Sequence, residues 1–118
     1  MNNGFRMIAL METDEQGVLH WVFQGDTSPM NPVWQVENYE VPVPMNEWFK
    51  VEYYVKWGEG SDGYASMKVN GQLIAEHSGP TTNGSDGLNF IILTQVYGNS
   101  HPMHQWVDDI EIWDGLPK

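Results

Sequence analysis

Apolar and polar residues alternate with a period of two through most of the chain, and no stretch sustains the period of a helix. WFKVEYYVKW shows the alternation best: Val51, Tyr53, Val55 and Trp57 fall on one face, and Lys50, Glu52, Tyr54 and Lys56 on the other. A strand with one dry side and one wet side requires that division. Short runs rich in Val, Ile, Trp, Tyr and Phe predict strands at about 5–12, 17–24, 33–42, 47–57, 63–70, 72–77, 88–97 and 105–113. Turn pairs separate them, among them Gln16-Gly17, Asp62-Gly63, Asn83-Gly84 and Asp86-Gly87. SMKVNGQLIAE predicts a tight hairpin, because Asn70 and Gly71 can supply the two positive φ values of a type I′ turn. The prolines of DTSPMNP (26–32) and VPVPMNEW (41–48) lack a ladder donor and mark loops or sheet edges. The predicted class is all-β, with antiparallel sheets.

Composition narrows this further. At 118 residues the chain suits one domain, 1–118, and at 41% hydrophobic and 13% aromatic, with six Trp, it can fill a core. Sixteen acidic residues against five basic ones give a formal charge of −11, and Arg6 is the only arginine. That balance repels nucleic acid and anionic membrane surfaces, and suits neutral ligands or cations such as Ca²⁺. Cysteine is absent, so no disulfide is expected. The opening MNNGFRMIALMETDEQG holds only a brief apolar run and reads as neither signal peptide nor membrane span.

The order of three motifs is informative. Trp48 to Trp57, then Val69-Asn70-Gly71-Gln72-Leu73, then Trp106-Val107-Asp108-Asp109-Ile110-Glu111-Ile112 resembles the C-terminal part of concanavalin A-like jelly rolls. Within that group the chain is most similar to the polysaccharide lyase and carbohydrate-binding branch, over roughly residues 45–113. The resemblance implies a jelly-roll β-sandwich, an extracellular setting, and a polysaccharide ligand on a concave sheet. Complete members are longer, so it also implies a compact variant, a missing N-terminal portion, or sheets completed in a homo-oligomer.

Sugar rings offer apolar faces and a rim of hydroxyls, which calls for aromatic platforms interleaved with amides and carboxylates. Alternation places Asn89, Gln95 and Tyr97 on one face of the predicted strand 88–97. These three, with Tyr54, Lys56 and His20, are the candidate ligand-binding residues on a wet sheet face. An enzymatic alternative is a lyase, with Tyr97 as base and acid and Gln95 or His20 neutralising a uronate. The arginine-rich strand of such lyases has no counterpart here. Asp109 and Glu111 share one predicted strand face, but the E-x-D-x-x-E or E-x-D-x-E pattern that glycoside hydrolases of this fold carry is absent, since position 107 is Val. The resemblance further suggests a structural Ca²⁺ at Asp108 or Asp109, with Glu12 or Asp14 contributing; solvated acids at a sheet edge are the competing account. A structural or assembly domain of a phage or surface protein is the third alternative.

Overall fold

The computed structural model describes residues 4–27, 31–84 and 106–114. Residues 1–87 form one unit and residues 88–118 a second. Among its described residues the first contains six strands: β1 (Phe5–Thr13), β2 (Leu19–Thr27), β3 (Asn31–Asn38), β4 (Val51–Lys56), β5 (Tyr64–Val69) and β6 (Gln72–Ser78). They build two antiparallel three-stranded sheets, ordered β1-β2-β3 and β4-β5-β6. No helix occurs among the described residues.

Local chemistry sets the hairpins. Between β1 and β2, Oδ1 of Asp14 accepts the amides of Gln16 and Val18, both at 2.9 Å, and Gly17 takes φ 80°. Between β5 and β6, Asn70 and Gly71 take φ 50° and 79°, as the Asn-Gly pair predicts. Asn70 also fastens the segment before β4, donating its amide to the Lys50 carbonyl (2.8 Å) and accepting the Lys50 amide on Oδ1 (2.9 Å). The predicted strand 33–42 ends early, at Asn38. There the side-chain oxygen accepts the amides of Glu40 and Val41 and turns the chain.

The two sheets share one interior. Trp21, Phe23 and Trp34 from the first meet Ala65, Met67, Val69, Ile74 and Ala75 from the second. Phe23 and Trp34 pack edge to face with centroids 5.4 Å apart, and Trp34 stacks on His77 at 4.7 Å. Buried polar atoms are satisfied across the interior: Trp34 Nε1 donates to the Pro80 carbonyl (2.7 Å) and Asn38 Nδ2 to the Ile74 carbonyl (2.8 Å). This is the arrangement of a β-sandwich, in which the described strands cross between sheets once, from β3 to β4. Trp57, expected on an apolar face, lies past the end of β4 and is 45% exposed.

In the second unit the described residues, 106–114, form neither strand nor helix, and all are exposed. The strand predicted at 105–113 is therefore not formed there. Asp109 takes φ 53°, a left-handed conformation that interrupts a strand. Its amide donates to Asp108 Oδ1 at 2.8 Å, so the donor a ladder would use is engaged locally. The strand predicted at 88–97 lies outside the described residues.

Candidate functional site

Alternation along the second sheet leaves one face to solvent. On β4 it carries Glu52, Tyr54 and Lys56; register places Lys68, Ser66 and Tyr64 of β5 opposite them, with Glu76 of β6 next to Ser66. Ala65, Met67 and Val69 point the other way, into the core. The Tyr54 and Tyr64 rings lie 6.0 Å apart, inclined at 57°, and Tyr54 is 39% exposed. Tyr64 donates its hydroxyl to Glu76 Oε2 at 2.6 Å, a short charge-assisted bond that raises the tyrosine's pKa above its ordinary value. Two lysines balance two glutamates on this face, which makes it locally neutral in a chain of formal charge −11.

The structure brings Tyr54 and Lys56 together as the sequence predicts, and it adds Tyr64, Ser66 and Glu76. The signal for Tyr64 and Ser66 was present in GYASMKV, whose other positions alternate with Ala65, Met67 and Val69. What the sequence lacked was the pairing that sets Glu76 beside Ser66.

His20 belongs elsewhere. It alternates with Trp21 and Phe23, which enter the core, so it lies on the outer face of the first sheet, away from Tyr54 and Lys56. Grouping it with them on one wet face is thereby corrected: strand parity is local, whereas the sheet a strand joins is not. The imidazole is also 2% exposed, stacked on Tyr39 at 4.0 Å. Its Nδ1 lies 3.2 Å from the Val18 carbonyl. Its Nε2 lies 3.3 Å from Glu37 Oε2 but lacks hydrogen-bonding geometry and has no partner. Buried this deeply, His20 does not offer its ring to a polymer.

The rest of that outer face mixes apolar Ile8, Leu10 and buried Val22 with polar side chains that are largely engaged with one another. Asp26, 0% exposed, receives Arg6 Nε at 2.7 Å and Nη2 at 3.2 Å, and Gln24 donates to it at 3.0 Å. Tyr39 donates its hydroxyl to Asp14 at 3.1 Å. Desolvation, followed by that bond, pushes the Tyr39 pKa up to about 12, which makes it a poor base. Side chains committed in this way stiffen the sheet.

Asn89, Gln95 and Tyr97 lie outside the described residues. Asp108 and Asp109 are exposed, and no group of three or more His, Asp or Glu side chains able to hold a metal ion occurs among the described residues. The open tyrosine face of the second sheet is thus the best-formed candidate site. The chain matches no protein-family model, no curated protein and no solved structure. The resemblance to concanavalin A-like jelly rolls rests on its motifs alone.

Proposed function

We propose that this protein is a carbohydrate-binding module whose second sheet lays a neutral or weakly charged polysaccharide across its outer face. The observation that carries the reading is exposed Tyr54 beside half-buried Tyr64, bordered by the Glu76 carboxylate and the Lys56 ammonium. A tyrosine ring covers the apolar face of a sugar at little entropic cost, while carboxylate and ammonium answer its hydroxyls. Glu76 is especially suited to this. One of its oxygens is held by Tyr64, which fixes the carboxylate, and the other can still accept. The jelly-roll form of the sandwich belongs to the same reading; the order of the first two sequence motifs supports it, and the third does not, since residues 106–114 form no strand.

A glycan panel screened by thermal shift, with and without Ca²⁺ and with absorbance read for unsaturated uronate, tests the proposal. The expected outcome is a raised melting temperature with one polysaccharide class and no product. Unsaturated product would replace the module with a lyase. A chain indifferent to every glycan would end the sugar reading and favour an assembly role.

A further inference from the structure

Among the described residues, His20 Nε2 is the one buried side-chain nitrogen or oxygen without a hydrogen-bond partner. Folded proteins seldom leave such an atom bare, because it loses water and gains nothing in return. The other ring nitrogen, Nδ1, lies 3.2 Å from the Val18 carbonyl, an oxygen that can only accept. Nδ1 therefore carries a proton. In the neutral ring that leaves a lone pair on Nε2, and it faces Glu37 Oε2 at 3.3 Å. Two acceptors so placed repel each other. A second ring proton turns the same approach into attraction, because Nε2 then donates and the ring is positively charged.

The groups around the ring favour that charge. Glu12 stands opposite His20 in the register of β1, Asp14 lies in the turn before β2, and Glu37 reaches across from β3. All three are acids. The Tyr39 ring covers the imidazole at 4.0 Å, inclined by only 9°, and presents its π face to the charge. Burial opposes these attractions, since the imidazole is almost wholly removed from water. The bare nitrogen decides between them: only the charged ring gives it a bond. Glu37 can complete that bond, because its side chain is 43% exposed and can change rotamer to bring an oxygen into line.

We propose that His20 and Glu37 form a proton-operated clasp between β2 and β3, closed when the imidazole is charged and open when it is neutral. Closing it firms the end of the first sheet, where Tyr39 and Asp14 already tie the segment after β3 to the β1–β2 turn. The sign follows from which form makes the bond. The contribution of the clasp is present where the ring holds both protons and is lost as rising pH removes one.

Glu37→Gln tests this, because glutamine answers the two forms of the ring in opposite senses. It offers no carboxylate to the charged ring, yet its amide can donate to the bare Nε2 of the neutral one. Urea unfolding of the intact chain is compared at about pH 5.5 and about pH 8, on either side of the ordinary histidine value of about 6.5. At the lower pH the folded-to-unfolded ratio of the variant should fall roughly three- to fivefold below the parent's, and at the higher pH it should equal or exceed it. Long-range proton–nitrogen NMR spectra of the parent read the ring directly, with His20 recognised by its contacts to the Tyr39 ring. Both nitrogens should carry protons at the lower pH and only Nδ1 at the higher. A loss of equal size at both pH values, or no loss at the lower one, would overturn the clasp. A ring that keeps one protonation state across the range would overturn it as well, whatever the variant does.

Discussion

Asp14 accepts hydrogen bonds from two backbone amides and from the Tyr39 hydroxyl, and every one of them favours its ionised form. Its pKa is held below the ordinary 3.8, chiefly by the Val18 amide, while that of Tyr39 rises to about 12. The two shifts act at opposite ends of the pH scale. A depressed carboxylate contributes stability that is present above 3.8 and is lost as pH falls through the lower, folded value. A raised phenol contributes stability that is complete below its ordinary 10.0 and is lost as pH rises through about 12. In urea titrations, Asp14→Asn should therefore flatten the loss of stability as pH falls below the ordinary carboxylate value of 3.8. Tyr39→Phe should remove the most alkaline step in the phenolate absorbance. Equal acid slopes in the parent and Asp14→Asn would show that the turn is held without this charge.

At the scale of elements, the β5–β6 hairpin hangs on a residue without a side chain. Gly71 sits at φ 79° with open space around it, so substitution there meets backbone strain and no packing clash. Gly71→Ala should lower unfolding stability by about 1–2 kcal/mol, read from the denaturation midpoint at unchanged slope. This hairpin was legible in the sequence because its requirement, two positive φ values, maps onto two residue types. The wet face of β4 was legible for a similar reason, since alternation of Tyr54 and Lys56 with Val51 and Val55 is a local property. The early end of β3 was harder to read, because Asn38 can cap a turn or continue a strand and only its acceptance of two later amides decides. The 105–113 segment misled for the opposite reason. Its alternation is good, but Asp109 adopts a left-handed conformation in which Asp108 takes its amide. His20 shows the remaining gap: its parity was readable and its burial under Tyr39 was not, since that depends on a neighbouring strand.

For the whole first unit, Asn38 joins what its sequence neighbours separate. Its oxygen turns the chain out of the first sheet, and its nitrogen reaches the Ile74 carbonyl of the second, 36 residues on. Asn38→Ala deletes all three bonds and leaves the Ile74 carbonyl to find another donor, a loss of about 2–3 kcal/mol. Because the tie is between sheets, the substitution should lower the urea midpoint of one cooperative transition. Two separate transitions would mean that each sheet holds together alone.

The order of strands also fixes a calendar for synthesis. Among the described residues every ladder joins strands adjacent in sequence, so the described first sheet has all its pairing partners once residue 38 has left the ribosome. Its apolar side does not, because Trp34 waits for the Pro80 carbonyl and Trp21 and Phe23 for the strands carrying Met67 and Ile74. At a synthesis rate of about 5–20 residues per second, that wait lasts some seconds. For that interval the nascent chain exposes a sheet with two tryptophans and a phenylalanine on its uncovered side.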